Sequence, residues 1–438
     1  MKRVLSIILM MALVLAGLPA QYLGVYAADT AAPSGSEEPI GYIETEYDDK
    51  AYTDSELASI EEMAPPVERG TIPESYNSIS NLKANYPASR SQAGYGTCWA
   101  FSVTACAEFD LVTEGAYTKD EVDFSELQLA YNTTHTAADK LGNLSEDELT
   151  SESRYLSGNN TIYTQHILAN WKGYTSESTY PYSGIPGFSP GKEIAYLNDY
   201  ARLVQSQALS IANHNDAVKQ AIMEHGAVGT SYYHDARYYA RAANGERLYY
   251  YPISSGTNHA VAMVGWDDNF SAENWPESNR PSSDGAWLIR NSHADTPYFW
   301  MSYEDKGHND TVYLLDFTTA DTYDNIYQHD GSPVHSTLYL YGGANVFTAQ
   351  NPDAEEGIGS ELLEAVMISK SSGNAASYKI EVYTNLEDPS DPTSGTLEEK
   401  STTYSSMIYA GISTVELENP VYLKPGLLFQ IQYHSHRN

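Results

Sequence analysis

The sequence predicts an α+β domain followed by an all-β sandwich, in a chain of 438 residues. Helical patterns come first along the chain, and short runs of β-branched and aromatic residues come later, which is the order expected of an α+β domain. Beyond residue 320, apolar and polar residues alternate in short runs that are separated by turn residues. This alternation is typical of the strands of a β-sandwich.

The strongest predicted helix begins at Cys98 and stops before Gly115. Its apolar residues cover most of the helix circumference, so we expect it to be buried, and a glycine is a common C-terminal stop. Shorter helices are predicted at 126–131, 164–172 and 216–225. Strands are predicted at 259–266, 286–291 and 298–303, and in the sandwich at 377–383 and 427–433.

The charge balance excludes one class of partner. The chain has 24 Lys and Arg against 58 Asp and Glu, a formal net charge of −34. We expect no nucleic acid partner, because phosphate binding depends on basic patches. Residues 28–71 are acidic and show little hydrophobic periodicity, so we interpret them as an acidic leader or pro-segment, with a solvated linker as the alternative.

The N-terminus has the three parts of a secretory signal peptide. A basic start is followed by an apolar run from Val4 to Gly17 and then by small residues that end at Ala27. The apolar run is shorter than the roughly 20 residues that a membrane span needs. We therefore expect residues 1–27 to be removed and the mature protein to be secreted or attached to the cell surface, without a membrane span. An uncleaved membrane anchor is the alternative.

The chain has two cysteines, Cys98 and Cys106. Eight residues apart in one helix, they cannot approach to the Cα separation of about 4.4–6.8 Å that a disulfide needs. Cys98 opens its helix, where unpaired N–H groups and the helix dipole are expected to stabilise a thiolate and lower the pKa. Cys98 is therefore a candidate nucleophile, and Cys106, two turns deeper, is interpreted as a small buried hydrophobic residue.

Three segments carry a resemblance to a known family. The run Gln92-Ala93-Gly94-Tyr95-Gly96-Thr97-Cys98-Trp99-Ala100-Phe101-Ser102 resembles the nucleophile segment of papain-like cysteine peptidases. Residues 258–266 resemble the family's His strand, and residues 287–292 resemble its Asn segment. The resemblance implies a papain-like peptidase with two lobes, one helical and one similar to a β-barrel, over residues 72–320.

The same resemblance assigns roles to four residues. It implies that Cys98 is the nucleophile, His259 the general acid and base, Asn291 the residue that orients His259, and Gln92 a donor in the oxyanion hole. A thiolate needs an imidazole that pairs with it and later protonates the leaving amine, and a neutral amide fixes that ring. The implied activity is hydrolysis of peptide bonds in protein or peptide substrates, with no cofactor and no metal.

Further residues correspond less closely to the family pattern. The run 157–159 resembles a substrate-binding glycine strip of the family, which implies that Gly158 and Asn159 bind substrate. A plain turn is the alternative at Gly158. Asn258, beside the candidate catalytic histidine, is also expected to bind substrate. Tyr95 stands where most relatives have a disulfide cysteine. His293 stands where they have a Trp that covers the His–Asn hydrogen bond, and we expect a polar His to leave that bond wetter.

Residues 321–438 resemble the lectin-like β-sandwich of some secreted clostridial members of the family. The resemblance makes cell-surface glycans candidate partners of this domain. Tyr339, Tyr341 and Phe347 either stack on sugar rings or fill the domain core. The residues between Asp267 and Asp284 are interpreted as an inserted acidic loop.

Two other functions stay open on the sequence alone. The first is a non-catalytic adhesin or glycan-binding protein on a decayed peptidase scaffold, which His293 favours and the retention of all four catalytic positions disfavours. The second is an amidase acting on cell-wall peptides, which uses the same Cys-His chemistry. The Trp-Ala-Phe-Ser run after Cys98 disfavours the amidase.

Overall fold

The computed structural model divides the chain into two compact units. We call them the α+β unit, which comprises Pro65–Val334 with Gly411–Thr414, and the β unit, which comprises Met1–Ala64, His335–Ala410 and Val415–Asn438. The expected boundary between residues 320 and 321 lies just before this division. The structure describes residues 2–8, 43–44, 71–81, 90–134, 158, 161–182, 201–211, 214–329, 342–350, 360–370 and 376–437.

Four of the five helices that the structure describes in the α+β unit lie near predicted positions, and the short α1 was not predicted. They are α1 (Ser78–Asn81), α2 (Cys98–Thr113), α3 (Glu126–Thr134), α4 (Thr161–Ala169) and α5 (Asp216–His225). Helix α5 is bounded by two cap residues: the Asn215 side chain accepts a hydrogen bond from Ala217 N, and Gly226 takes a left-handed conformation with φ of 75°. Helix α4 ends earlier than predicted, because Trp171 turns the chain with φ of 60°.

Helix α2 lies at the centre of the α+β unit. Every residue from Trp99 to Leu111 is buried, as the apolar circumference predicted. A polar group buried without a partner would cost about 1–3 kcal/mol, so the polar residues of such a helix need partners. Ser102 has one, since its hydroxyl donates to the carbonyl of Val261 at 2.7 Å.

Strands are numbered along the whole chain. The β unit contributes β1 (Lys2–Ile8) and β2 (Ile43–Glu44). The α+β unit contributes β3 (Ser75–Asn77), β4 (Ala201–Ser210), β5 (Val228–Tyr232), β6 (Tyr239–Arg241), β7 (Arg247–Tyr249), β8 (His259–Asp267), β9 (Ala286–His293), β10 (Thr296–Ser302), β11 (Thr311–Thr319) and β12 (Asn325–Tyr327). The strands predicted at 259–266, 286–291 and 298–303 are therefore confirmed as β8, β9 and β10.

The sheet of the α+β unit brings the two candidate site strands together. Its order is β4-β11-β5-β8-β9-β10-β7-β6, with β3 paired to β8. Strands β8 and β9 are antiparallel, so that Ala262 lies opposite Arg290. The start of β8 therefore lies beside the end of β9, which places His259 near Asn291. Strand β5 runs along the other edge of β8 and sets Tyr232 opposite His259.

The predicted acidic loop between β8 and β9 contains ordered elements. It contains two short 3₁₀ turns, Ala272–Asn274 and Glu277–Asn279. Its Phe270 and Trp275 are buried in a small core with Leu248, and Trp300 stacks on Phe270 at 4.6 Å between ring centroids. Burial of the Phe270 and Trp275 rings holds the loop against the rest of the α+β unit.

The β unit is built of strands in the described residues, in agreement with the predicted β-rich tail. They continue as β13 (Gly342–Thr348), β14 (Glu361–Lys370), β15 (Ala376–Thr384), β16 (Thr396–Leu397), β17 (Thr403–Met407), β18 (Gly411–Leu423) and β19 (Leu428–Arg437). The first four residues of β18 belong to the α+β unit. One sheet has the order β16-β15-β19-β13-β2, and β17 pairs with β15. Phe347 packs on Phe429 with 5.5 Å between ring centroids and is 4% exposed, so it fills the core.

Several predicted features lie outside the described residues. Tyr339 and Tyr341 lie outside them, as do most of the predicted leader and the part of the predicted signal peptide that follows β1. Strand β1 pairs in parallel with β14. None of the helices in the described part of the chain combines the length and the apolar character that crossing a membrane requires.

Candidate active site

The start of α2 directs backbone donors at the Cys98 sulfur. Thr97 occupies the N-cap position, but its side chain shares a hydrogen bond with the Tyr182 hydroxyl and caps no backbone group of the helix. The N–H groups of Cys98 and Trp99 face the sulfur, and a third donor is the N–H of Ala260 on β8. The sulfur therefore lies against the residue that follows His259.

The thiol itself is not acidified in this environment. Burial raises the pKa of the Cys98 thiol, because the cost of desolvating a thiolate outweighs the three N–H donors. The N–H groups at the helix start do lower the pKa, as expected, but desolvation outweighs them, so the net pKa of the thiol taken alone is raised. Cys98 is partly exposed, whereas Cys106 is completely buried and its pKa is raised further by desolvation; both are free cysteines. This agrees with Cys106 as an inert residue.

His259 and Asn291 form the hydrogen bond that the sequence predicts. His259 Nε2 lies 2.8 Å from Asn291 Oδ1. The orientation of the amide is fixed, because its Oδ1 also accepts from Ser292 N at 2.8 Å and its Nδ2 donates to Thr296 O at 3.0 Å. Oδ1 is an acceptor, so Nε2 carries the proton, and Nδ1 is left as the acceptor of the imidazole.

Burial also disfavours the charged form of His259. Desolvation lowers the pKa of His259 to about 3. The hydrogen bond to Asn291 raises the pKa, and the neighbouring His293 and His234 lower it further. Each partner alone therefore rests neutral. A proton that moves from Cys98 to His259 creates both charges together, and their mutual attraction offsets the cost of desolvation. The charged pair is therefore favoured only when both charges form together.

Gln92 is held rigidly beside the start of α2. Its Nε2 donates to the carbonyl of Tyr95 at 2.7 Å, and its Oε1 accepts from the Ser292 hydroxyl at 2.6 Å. Its backbone N–H donates to Ser292 O at 3.0 Å. Because Oε1 is fixed by the hydroxyl, the amide presents its N–H side towards the Gly94–Cys98 loop. A preorganised donor of this kind is what an oxyanion hole needs.

The three predicted substrate-binding residues have different outcomes. Gly158 takes φ of 74°, and a Cβ added there would come 3.9 Å from the carbonyl of Gly96, so it lies beside the loop that leads to Cys98. Asn159 lies outside the described residues. Asn258 is exposed, and its side chain holds the backbone of His234: Oδ1 accepts from His234 N at 2.6 Å and Nδ2 donates to His234 O at 3.2 Å.

Two family models match this chain. The model of the papain family of cysteine proteases matches residues 72–309, and that of a lectin-like domain matches residues 326–437. The first match covers more than half of the chain. The chain belongs to the papain family.

Two curated relatives are cathepsins of limited sequence identity. Cathepsin Q of Rattus norvegicus is 25% identical over 210 residues, which is 46% of this chain and 50% of the relative. Cathepsin 7 of Mus musculus is 23% identical over 208 residues, which is 47% of this chain and 53% of the relative. The chain thus spans about half the length of the curated relatives it matches.

Solved structures match over most of the chain. The clostridial cysteine protease Cwp84 after propeptide cleavage is 25% identical, with a TM-score of 0.64, over 82% of this chain and 83% of that one. The cysteine protease and lectin-like domains of Cwp84, a surface layer associated protein of Clostridium difficile, are 22% identical, with a TM-score of 0.63, over 91% and 86%. The fold is therefore a papain-like fold followed by a strand-rich lectin-like domain.

Two residues that depart from the papain-family pattern, Tyr95 and His293, each contact another ring in the structure. Tyr95, in the position of a disulfide cysteine, contacts the edge of the Tyr182 ring with 6.4 Å between centroids. His293, in the position of a Trp, stacks on the ring of His259 at 4.6 Å between centroids. His259 and Asn291 are 6% and 4% exposed, so the expectation of a wetter bond is wrong.

An ion-pair network that the sequence did not indicate connects α2 with β9. Arg90 Nη2 lies 2.8 Å from Glu108 Oε1 and 2.9 Å from Glu126 Oε1. The second oxygen of Glu108 lies 3.6 Å from Arg290 Nη1, and Arg290 immediately precedes Asn291. Breaking such a buried pair by removing one partner costs about 3–5 kcal/mol. The network fixes the nucleophile helix relative to the Asn291 strand.

Within the described residues, one group of side chains has the chemistry to hold a metal ion. Its ligand-type atoms all lie within 4.8 Å of one another, and it consists of Asp110, Glu114, His225 and Asp316. Protein contacts already engage Asp110, which accepts from Phe317 N at 2.6 Å and pairs with His225 Nδ1 at 2.6 Å. The group lies near the C-terminal end of α2, away from Cys98.

This group predicts how stability depends on pH. Burial and the charge of Asp110 raise the pKa of Asp316 to about 6 from its ordinary 3.8. A raised carboxyl pKa means that the folded state favours the protonated form, so stability is lost as pH rises through this range. Asp316→Asn should therefore increase the free energy of unfolding by about 1–2 kcal/mol at pH 8 and by almost nothing at pH 4.

Urea unfolding at the two pH values measures this effect. Asp310→Asn, at an exposed position just before β11, is the matched control and should show the same small change at both pH values. An equal effect of Asp316→Asn at pH 4 and pH 8 would contradict the electrostatic explanation.

Proposed function

We propose that the protein is a secreted cysteine endopeptidase. Cys98 forms an acyl-enzyme, His259 is the general acid and base, Asn291 orients His259, and Gln92 with the Cys98 N–H forms the oxyanion hole. The observation that carries the proposal is the hydrogen bond of 2.8 Å between His259 Nε2 and Asn291 Oδ1. Because the Asn291 amide is fixed, Nε2 carries the proton and His259 Nδ1 is left as the acceptor. His259 directly precedes Ala260. The Ala260 N–H faces the Cys98 sulfur.

In the first half-reaction the Cys98 proton moves to His259 and the sulfur attacks the peptide carbonyl carbon. The negative charge that develops on the carbonyl oxygen is stabilised by Gln92 and the N–H of Cys98. His259 then gives its proton to the amide nitrogen as the C–N bond breaks. The products of this step are a free amine and a thioester on Cys98.

In the second half-reaction water hydrolyses the thioester. His259 takes a proton from the water as its oxygen attacks the carbonyl carbon, and the same oxyanion donors act again. The C–S bond then breaks, the proton returns to the sulfur and a carboxylic acid leaves. Asn291 keeps the ring of His259 in one plane through both steps, so no reorientation is needed between them.

We further assign substrate and processing roles. Gly158, Asn159 and Asn258 are proposed to bind the peptide backbone of the substrate. Residues 1–27 are proposed to be a signal peptide and 28–71 a leader that is removed; the similar Cwp84 is described as surface layer associated and after propeptide cleavage. The peptidase domain then comprises 72–320 and the lectin-like domain 321–438.

Mass spectrometry after treatment with a peptidyl epoxide tests the proposal directly. We expect one adduct on Cys98 and none on Cys106, together with hydrolysis of casein. Hydrolysis of peptidoglycan peptides without hydrolysis of casein would instead indicate the amidase. Absence of both the adduct and any hydrolysis would contradict the peptidase.

A second function is proposed for the lectin-like domain alone, namely binding of cell-surface glycans. The match of the lectin-like model to residues 326–437 favours it. A glycan array probed with the Cys98→Ala protein separates binding from proteolysis. Glycan binding together with an inactive wild-type protein would favour the adhesin.

A further inference from the structure

We propose that His293 is a positioning residue that holds the ring of His259 by stacking, and that His293 and His234 together set the acid limit below which the Cys98–His259 ion pair cannot form. The inference rests on the proposed role of His259 as the base. It concerns two residues that the catalytic mechanism does not use.

Three imidazole rings are packed together at the end of β9. His293 stacks on His259 with 4.6 Å between centroids and 28° between planes. His234 contacts both, at 5.4 Å from His259 and 4.9 Å from His293. The face of the His259 ring is therefore covered by a ring that can itself become charged.

Both additional rings are held in place by the surrounding strands. His293 ends β9, two residues after Asn291, so the strand that presents the orienting amide also presents the stacking ring. His234 follows β5; its Nδ1 lies 2.9 Å from the Tyr232 hydroxyl, and its backbone is bound by the Asn258 side chain. Asn258 in turn directly precedes His259. The three rings thus belong to one connected assembly.

Titratable and charged groups face the rings from several elements. From β6, the Tyr239 ring contacts His234 with 5.6 Å between centroids, and its hydroxyl lies 2.7 Å from that of Tyr232. From the turn before β10, Asp295 acts on His293 and His234, and it lies 3.8 Å from Arg247 Nη2. From the loop after β5, Asp235 also acts on His234, but its carboxylate is paired with Arg237. Among the described residues of β8, the titratable group that contacts His293 is His259.

The sign of the effect follows from these neighbours. Burial lowers the pKa of His293 and of His234, more than Asp295 raises them, so both rings are neutral at pH 7. Below their pKa they become cationic next to the ring that must carry the positive charge of the ion pair. Like charges this close disfavour the second charge, so the ion pair is lost as pH falls through this range.

Stacking and charge can be separated by substitution. His293→Phe and His293→Trp keep a flat ring against His259 but remove the titrating group. His293→Ala removes both. His234→Phe removes the second charge, and its backbone contacts with Asn258 do not depend on the side chain.

The test measures the pH dependence of Cys98 alkylation by iodoacetamide, with the full chain and mass spectrometric readout between pH 4 and 8. We expect His293→Phe and His293→Trp to move the acid midpoint down by about one pH unit, and His234→Phe to move it in the same direction by less. His293→Ala should show the same shift and also a lower kcat for peptide hydrolysis, because the ring is no longer held. Each variant's thermal midpoint is recorded.

His214→Asn is the matched control. His214 contacts Tyr303 and has φ of 62°, a conformation that Asn tolerates, so this variant removes a histidine outside the three-ring assembly and should leave the profile unchanged. An unchanged acid midpoint in both His293→Phe and His293→Trp would overturn the inference. Because alkylation requires no hydrolysis, an inactive wild-type protein would contradict the peptidase while the inference could still be decided.

Discussion

Replacing Cys98 by Ala is expected to abolish peptide hydrolysis, with kcat/KM reduced by about 10⁴-fold or more. The reason is chemical: without the sulfur no thioester can form, and the remaining oxyanion donors and His259 can only assist direct attack by water. Hydrolysis of a fluorogenic peptide, with the thermal midpoint as a check of folding, measures the loss. The variant should also lose the epoxide adduct.

Cys106→Ala is the matched control for this experiment. Cys106 is completely buried in the same helix and its thiol pKa is raised by desolvation, so it should be unreactive. Removing its sulfur leaves a small cavity, and we expect a stability loss of about 1 kcal/mol with hydrolysis retained. Comparable loss of hydrolysis in both variants would show that the effect of Cys98→Ala comes from damage to α2 and not from loss of the nucleophile.

Of the four catalytic candidates, only Cys98 is indicated by a local pattern, since it opens a helix with an apolar circumference. Gln92, His259 and Asn291 were assigned by the resemblance to the papain-like family, and the predicted strands place His259 at the start of one strand and Asn291 near the end of the next. Antiparallel pairing of consecutive strands brings such positions side by side. The fold class could be predicted for the same reason, since the 3.6-residue and two-residue periods of its elements are local properties.

His234 could not be found in this way. It lies in a loop after β5, and its contacts with His259 and His293 join residues that are 25 and 59 positions away in the sequence. Loop residues carry no periodic signal, so only the packing of β5 against β8 reveals the contact. The ion pairs between Arg90, Glu108 and Arg290 were missed for a related reason, because charged residues in a sequence are usually solvated.

The pKa of Cys98 shows a different limit of sequence reasoning. A cysteine at a helix start indicates stabilisation of the thiolate by backbone donors, and the structure contains those donors. Their effect competes with desolvation, which depends on how the β8 strand covers the site. The sequence predicts the donors and a buried helix, but not that β8 covers the Cys98 sulfur, so the balance between donors and desolvation at the thiol could not be predicted.

Replacing Gln92 by Ala is expected to reduce kcat by about 10²–10³-fold with little change in KM. The donated hydrogen bond is needed only when the carbonyl oxygen becomes an anion, so its loss weakens the transition state more than substrate binding. Ser292→Ala, which removes the hydroxyl that fixes Gln92 Oε1 at 2.6 Å, should cause a smaller loss of about tenfold, because the amide remains but is less well oriented.

The rate of Cys98 alkylation by iodoacetamide distinguishes this role from a structural one. Alkylation at a saturated carbon creates no oxyanion, so it reports the thiolate without needing Gln92. In Gln92→Ala the alkylation rate should stay close to that of the wild type while hydrolysis is lost. If both fall together, Gln92 acts mainly by holding the Tyr95 carbonyl and the loop before Cys98, and the oxyanion role would be rejected.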